Sequence, residues 1–204
     1  MSAGGSFSTS SNPFSSRFVR PGAIPFFFPE RCSLEAILER LQQTGWQGQI
    51  LGAHGSGKSA LLAQLIPAIQ ATGRPTALYE LHEGCRQLPA SFPPPTEAAQ
   101  PPVIIIDGYE QLSRWNRFRL RRQCRQLQFG LVVTAHRSVG LPELVRLRPD
   151  VELARKIVLH LLRDSPIQIT PEEIAAAYHA RRGDLREMLF DLYDLWEQRF
   201  RAQV

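Results

Sequence analysis

The feature that most constrains this chain is an eight-residue loop within QILGAHGSGKSALL, residues 49–62, between a short apolar run and a helix-forming run. It has the pattern G-x-x-x-x-G-K-[ST], and its members are Gly52, Ala53, His54, Gly55, Ser56, Gly57, Lys58 and Ser59. The glycines allow backbone N–H groups to turn inward around a polyphosphate, and the following helix N-terminus favours the same anion. A glycine-rich turn with an accidental lysine is the alternative. The full pattern between a strand and a helix favours a loop that binds nucleotide phosphates.

Two side chains of this loop and one acid downstream carry the expected chemistry. Lys58 is expected to reach the β- and γ-phosphates, and Ser59 to supply a hydroxyl to Mg²⁺. Asp107 ends the apolar run 103–106, which is typical of a strand buried on both faces in a parallel sheet. An acid at that end of the strand lies beside the phosphate loop and can bind the water shell of Mg²⁺. The alternative for Asp107 is an acid that caps a turn.

Other polar residues stand at the ends of predicted strands or just beyond them. Glu110 is the nearby carboxylate that can orient an attacking water, although the helix dipole also explains an acid in the first turn of a helix. Thr134 lies near the end of the apolar run 131–135, where its hydroxyl would point at the γ-phosphate. His136 follows, and a lone histidine at a strand end is typically hydrogen-bonded in a turn.

Composition limits the chain to one domain of ordinary size with a small appendage, because it has 204 residues, of which 43% are hydrophobic. The net charge of +5 comes mostly from arginine and allows an anionic partner without requiring one. The three cysteines, Cys32, Cys85 and Cys124, form no C-x-x-C pair, so neither a disulfide framework nor a zinc site is indicated. Without a signal peptide or an apolar run of membrane-spanning length, we expect a soluble, cytoplasmic protein that contacts no membrane.

The chain as a whole predicts an α/β fold, a P-loop NTPase with a parallel sheet sandwiched by helices and a small C-terminal helical lid. Residues 1–16, rich in serine and glycine, are expected to form a disordered, mobile tail. Residues 17–150 are assigned to the core and residues 151–204 to the lid. Within the core, residues 17–29 mix apolar residues with prolines, which predicts an extended segment and excludes a helix. This segment either covers a hydrophobic edge or lies beside a nucleotide base.

Apolar periodicity and turn residues divide the rest of the chain into short elements. The predicted strands are 48–51, 76–81, 103–106 and 131–135, and the strand signal fades from Pro142 onward. The predicted helices are 33–44, 59–71, 151–162, 170–182 and one that opens at Asp184. Residues 81–102, rich in proline, glutamine and alanine, are expected to be a surface excursion.

A basic run occupies residues 113–127 and contains no acid. Its arginines are Arg114, Arg117, Arg119, Arg121, Arg122 and Arg125, interleaved with Trp115 and Phe118. Such a helix can bind a nucleic-acid backbone or an acidic protein surface, or supply a charge to the nucleotide of a neighbouring copy in a homo-oligomer. A solvated basic face is the alternative.

Arg186 is the lid residue that most resembles a functional group. It lies in the first turn of a predicted helix, where the helix dipole disfavours a cation, so its placement invites an anion. A local ion pair with Asp184 or Glu187 is the alternative.

Four stretches together resemble the additional-strand P-loop ATPases, in particular AAA+ proteins and the related STAND ATPases. They are Gly52 to Ser59, VIIIDGYE ending in Glu110, LVVTAHR with Thr134, and GDLRE at residues 183–187. The resemblance implies that the strand from Val103 lies beside the strand that ends at Thr134. It also implies that Thr134 is the sensor-1 residue and Arg186 the sensor-2 arginine. Candidates for an arginine finger are Arg114, Arg117 and Arg137.

The sequence departs from the AAA+ pattern at Gly108, where these proteins usually carry a glutamate directly after the aspartate. Here the glutamate is Glu110, two positions later. STAND ATPases tolerate a DG pair, so the resemblance implies an ATPase that turns ATP over slowly and acts as a switch or motor. The alternatives are a nucleic-acid-binding adaptor whose assembly ATP controls, and a small-molecule kinase.

Overall fold

The structure is a computed structural model that describes residues 11–29, 32–82, 84, 86–88, 92–94 and 99–203. Residues 1–10 of the expected tail, Cys85 and much of the expected surface excursion lie outside the described residues. Contacts divide the described chain into two compact units. The first, here called the helical unit, contains residues 11–27, 54–57 and 148–203, and the second, the sheet unit, contains residues 28–53 and 58–147.

The sheet unit contains a five-stranded sheet in which every pairing is parallel. Its strands are β1 (Gln47–Gly52), β2 (Thr76–Glu80), β3 (Val103–Asp107), β4 (Gly130–Ala135) and β5 (Glu143–Leu147). The spatial order is β2-β3-β4-β1-β5, so β4 lies between the strand that precedes the glycine-rich loop and the strand that ends in Asp107. Because the carboxyl ends of parallel strands share one edge of the sheet, the polar residues that end β3 and β4 become neighbours.

The strand β5 was not predicted. It pairs with β1 at the edge of the sheet, with an irregularity between Gln49 and Ile50. Leu144 and Leu147 are buried, whereas Glu143 and Arg146 form an ion pair at 2.6 Å. A strand of five residues with charged members has no continuous apolar run, which explains why the sequence signal is weak.

Among its described residues, the sheet unit has the helices α2 (Leu34–Gln43), α3 (Lys58–Ala71) and α4 (Arg114–Gln126). A single 3-10 turn, Tyr109–Gln111, follows β3. The Ser33 side chain accepts a hydrogen bond from the Ala36 N–H and begins α2, as predicted. The fully buried β3 residues Ile104 and Ile106 pack with Leu120 of α4 in one hydrophobic cluster.

The helical unit contains α1 (Ser16–Val19), α5 (Val151–Leu161), α6 (Pro171–Ala180) and α7 (Leu185–Gln203). Thr170 and Glu173 form the reciprocal capping box that begins α6. The core of this unit includes Val158, Met188 and Trp196, each at most 1% exposed. None of the described helices combines the length and the apolar character needed to cross a membrane.

Residues 11–19 differ from the expected tail and extended segment. Phe14 is 1% exposed and belongs to the core of the helical unit. Asn12 donates a hydrogen bond to the Tyr193 carbonyl and accepts one from the Phe14 N–H. The prediction of disorder was therefore wrong for residues 11–16, because one aromatic anchor and one buried amide order a segment of low average hydrophobicity. The exclusion of a helix was wrong as well, since α1 completes one turn before Pro21.

Candidate nucleotide site

The glycine-rich loop follows β1 and leads directly into α3. Gly55 and Gly57 have φ angles of 64° and 91°, in the left-handed region that side chains rarely adopt. The Ser56 hydroxyl is buried and has no hydrogen-bond partner within the described residues. A buried hydroxyl of this kind offers a donor to an anion in the loop. The backbone thus has the glycine-dependent form that the pattern predicts.

Lys58 folds back over the loop that it follows. Its ammonium group donates hydrogen bonds to the Gly52 carbonyl at 3.0 Å and the Ala53 carbonyl at 2.7 Å. A phosphate in the loop would offer the ammonium group charge-assisted hydrogen bonds, which are stronger than its present bonds to two neutral carbonyls. The positive charge is therefore held at the start of the loop.

Ser59, Asp107 and Thr134 form one hydrogen-bonded group at the edge of the sheet. The Ser59 hydroxyl donates to Asp107 Oδ2 at 2.6 Å, and the Thr134 hydroxyl donates to Asp107 Oδ1 at 2.5 Å. Thr134 is fully buried, and its hydroxyl also accepts the Gly108 N–H at 2.9 Å. The carboxylate is thus held at both oxygens, next to the first turn of α3. Hydroxyl and carboxylate oxygens are the ligands that Mg²⁺ prefers.

A second carboxylate lies at the same edge. After Asp107 the chain turns through Gly108, with φ 83°, into the 3-10 turn that contains Glu110. Glu110 Oε1 lies 3.2 Å from His136 Nε2, beyond the end of β4. Glu110 Oε2 is buried and has no hydrogen-bond partner in the described part of the chain. Glu110 is therefore paired with His136, a contact that the sequence did not predict.

Within the helical unit, Asp184 lies against the tip of the glycine-rich loop. Its Oδ2 lies 2.7 Å from His54 Nδ1, and its Oδ1 accepts the N–H groups of Arg186 and Glu187. A Cβ on Gly55 would lie 1.8 Å from Asp184 Oδ1, so a side chain here would displace the Asp184 carboxylate and strain a left-handed backbone. Burial by itself would raise the pKa of Asp184, but the hydrogen bonds from His54 and the two backbone N–H groups outweigh it and lower the pKa.

Arg186 lies in the first turn of α7 with an exposed side chain. The Arg186 side chain does not form the ion pair with Asp184 that the sequence offered as an alternative, because the Asp184 oxygens bind His54 and backbone N–H groups. In the part of the chain that the structure describes, Arg186 makes no ion pair. Its assignment as the sensor-2 arginine stays a prediction.

The arginines of α4 divide into two sets. Arg117 donates to the Leu112 and Glu110 carbonyls, and Arg121 donates to the Tyr109 hydroxyl and the Val139 carbonyl. The guanidinium groups of these two arginines therefore hold the neighbouring turn and loop, and their part in a partner-binding surface stays a prediction. The exposed basic and aromatic residues of the helix are Arg114, Trp115, Phe118, Arg119, Arg122 and Arg125, here called the α4 surface.

The comparisons with known proteins identify the fold. A scan against protein-family models gives no match, and a search of the curated proteins gives none. Among solved structures, a replication initiator DnaA bound to AMPPCP and single-stranded DNA matches with a TM-score of 0.51 at 16% identity, over 87% of this chain and 67% of that chain. A DNA replication initiation factor matches with a TM-score of 0.50 at 14% identity, over 86% of this chain and 70% of that one.

DnaA is an AAA+ ATPase, so these matches confirm the predicted α/β fold and the resemblance to AAA+ P-loop ATPases at the level of the fold. The parallel sheet with β4 between β1 and β3 agrees with this result. The implied neighbourhood of the strand from Val103 and the strand that ends near Thr134 is present as the β3–β4 pairing.

Proposed function

We propose that this chain binds ATP with Mg²⁺ and hydrolyses it slowly, as a nucleotide-dependent switch. The observation that carries the proposal is the 2.6 Å hydrogen bond between Ser59 and Asp107, which joins the end of the phosphate loop to the acid that ends β3. The fold is that of AAA+ ATPases, and the similar DnaA structure was solved with AMPPCP. Nucleotide binding is therefore the function that the loop, the acid and the fold support together.

Each residue of the group has a distinct proposed role. Lys58 exchanges its carbonyl partners for the β- and γ-phosphate oxygens, and the backbone N–H groups of Gly55 to Ser59 surround the β-phosphate. Ser59 and Asp107 hold Mg²⁺ directly or through its waters, and the metal neutralises phosphate charge when it is bound. Thr134 keeps the Asp107 carboxylate oriented. In the same proposal, Arg186 is the sensor-2 arginine and responds to the presence of the γ-phosphate.

The extended segment before α2 supplies a group for the base. The ring of Phe26 lies near the loop, with its Cε2 atom 3.6 Å from where a Cβ on Gly57 would be. An aromatic ring beside a phosphate loop can stack on a purine. Of the two roles considered for residues 17–29, this placement supports the one beside the nucleotide base.

The metal dependence of ATP affinity tests the proposal. A fluorescent ATP analogue is titrated into the protein with and without Mg²⁺. Wild type is expected to bind the analogue about 10-fold more tightly with Mg²⁺ than without it, or more, because Ser59 and Asp107 each supply an oxygen ligand to the metal. Asp107→Asn keeps the shape of the side chain but loses the charge and replaces one acceptor oxygen with an N–H donor, so most of this difference is expected to disappear. Asp164→Asn, at an exposed acid of the helical unit, serves as the control. Equal metal dependence in all three proteins would contradict the metal role.

A second candidate function, nucleic-acid binding, is supported by the α4 surface. Trp115 is 70% exposed and Phe118 57% exposed, with their ring centroids 6.0 Å apart, and four arginines lie on the same surface. Exposed aromatic rings stack on bases and arginines pair with phosphates, which together favour a single strand. The DnaA structure of the same fold contains single-stranded DNA.

Salt dependence tests this second candidate. Wild type is expected to bind a labelled oligothymidine with an affinity that falls steeply as salt rises. Arg119→Glu with Arg122→Glu should abolish binding and leave ATP affinity unchanged, whereas Arg155→Glu with Arg163→Glu on the helical unit changes the net charge equally and should bind as wild type. If both double variants lose binding equally, the affinity reflects net charge and not the α4 surface.

A further inference from the structure

We propose that Glu110 and His136 form the water-activating pair of this ATPase, with Glu110 as the catalytic base and His136 as its positioning residue. The inference rests on the proposed function and concerns the hydrolytic step alone. The sequence places a glycine where AAA+ proteins usually carry the glutamate, and the structure shows why the carboxylate stands two positions later.

Gly108 cannot carry a side chain at this point of the chain. Its φ of 83° is left-handed, and a Cβ would lie 2.5 Å from the Leu81 carbonyl oxygen. The Gly108 N–H donates to the Thr134 hydroxyl, which also holds Asp107. At Gly108 the chain bends into the 3-10 turn Tyr109–Gln111. The first side chain that can lie at the edge of the sheet therefore belongs to this 3-10 turn. Glu110 is the acid at that position.

The backbone around Glu110 is fixed from two sides. Tyr109 is fully buried, and its hydroxyl accepts a hydrogen bond from Arg121. Arg117 donates to the Glu110 carbonyl at 2.7 Å and the Leu112 carbonyl at 2.8 Å. Groups that hold a catalytic side chain rigidly reduce the reorganisation needed at the moment of reaction. These two arginines therefore support the position of the carboxylate.

The two carboxylate oxygens of Glu110 have different surroundings. Oε1 lies 3.2 Å from His136 Nε2, at hydrogen-bonding reach. Oε2 is buried and has no hydrogen-bond partner within the described residues. A buried carboxylate oxygen without a partner is costly, and a catalytic role is one of the reasons for which a native site retains it. His136 thus orients the group, and Oε2 is the atom left to accept a proton from water.

The step that follows is an in-line displacement at the γ-phosphorus. The water oxygen forms a bond to phosphorus while the bond from phosphorus to the β,γ-bridging oxygen breaks, and ADP leaves with that electron pair. The water proton passes to Glu110 Oε2 and from there to solvent. His136 contacts Glu110 and not the reacting atoms, so it acts on the rate through the orientation of the carboxylate.

The test separates binding from turnover in three variants of the full chain. Glu110→Gln keeps the size of the side chain but not its basicity, and it should lower kcat by about 100-fold or more with ATP affinity within about threefold of wild type. Protein mixed with radiolabelled ATP and recovered by rapid filtration should then hold ATP where wild type holds ADP. His136→Ala should lower kcat by about 10-fold at unchanged KM, and His136→Gln, which retains an N–H donor, should recover most of that loss.

Matched controls and contrary outcomes follow from the same design. Glu143→Gln removes an acid on β5, and His82→Ala removes an exposed histidine of the sheet unit; both should turn over as wild type. Full activity in Glu110→Gln, or equal losses in His136→Gln and His136→Ala, would overturn the pair. Wild type that binds ATP without turnover would also overturn it and leave the proposed binding intact, whereas wild type that binds no ATP would overturn the proposed function itself.

Discussion

Asp184 shows how much a single residue contributes in the helical unit. Its carboxylate caps the first N–H groups of α7 and contacts His54 in the glycine-rich loop. Because the folded protein lowers its pKa, the ionised form is more favourable in the folded state than in the unfolded chain. The resulting stability is present above the ordinary pKa of aspartate and is lost as the pH falls through the lowered value.

Asp184→Asn is therefore expected to destabilise the protein at neutral pH and to change its response to acid. At pH 7 the variant should lose about 0.3–1 kcal/mol, because asparagine caps a helix about as well as aspartate but has no charge to interact with the helix N-terminus. The difference from wild type should shrink as the pH falls below the ordinary pKa of aspartate and through the lowered pKa of the native carboxylate, which then becomes protonated. Chemical denaturation at several pH values measures this, with Asp194→Asn on the same helix as control. A constant difference across the range would contradict the assignment.

Gly108 provides a second prediction at the level of one residue. Gly108→Ala should lower the free energy of unfolding by more than about 2 kcal/mol, because the added Cβ meets both a left-handed backbone and the Leu81 carbonyl at 2.5 Å. Gly45→Ala is the matched control, since its φ is also positive, at 67°, but no atom lies within 4 Å of the added Cβ. If urea denaturation showed equal losses of unfolding free energy in the two variants, the steric contact would have no effect.

Among the elements, α4 combines two functions on one helix. Leu120 and Cys124 are buried in the core cluster, and burial raises the pKa of the Cys124 thiol to about 12, so the thiol is unreactive at neutral pH. Arg117 and Arg121 hold the turn after β3 and the loop after β4. The remaining basic and aromatic residues form the exposed α4 surface. The helix therefore supports the site on one side and presents a candidate binding surface on the other.

The two faces of α4 should respond differently to substitution. Arg121→Ala removes hydrogen bonds to the Tyr109 hydroxyl and the Val139 carbonyl and should cost about 1.5–3 kcal/mol, the range for bonds made by a charged group. Arg122→Ala, at the adjacent exposed position, should change stability by less than about 0.5 kcal/mol. Thermal unfolding followed by circular dichroism compares the two. A larger loss of stability in Arg122→Ala than in Arg121→Ala would contradict this assignment of the two faces of α4.

The elements that the sequence predicted well are those with a strong local signal. The buried strand β3 lacks polar residues until Asp107, and α6 has a capping threonine, a proline and a reciprocal glutamate. The strand β5 has neither kind of signal, since its charged residues interrupt the apolar pattern and only pairing with β1 makes it a strand. Local pattern thus predicts an element when its own residues determine it, and fails when a partner does.

For the whole molecule, the sequence predicted where the candidate site residues lie in the fold better than it predicted their contacts. The loop, Asp107 and Thr134 lie where the order of the strands requires, because parallel strands end at one edge. The contact of His54 with Asp184 joins residues that are 130 positions apart, and Glu110 meets His136 across two strand ends. No local pattern encodes such pairs, since they depend on tertiary packing. A homo-oligomer, a cytoplasmic location and the kinase alternative stay predictions of the sequence.

Isothermal titration of ATP with Mg²⁺ into wild type and Lys58→Ala tests the central claim most directly. The ammonium group contacts the Gly52 and Ala53 carbonyls at the start of the phosphate loop. Its removal should weaken binding by about 100-fold, or about 2.7 kcal/mol, with an unchanged circular dichroism spectrum. Lys156→Ala, at the other lysine of the chain, is the control and should bind as wild type. Wild type that binds ATP and a Lys58→Ala variant that binds it equally well would contradict the account.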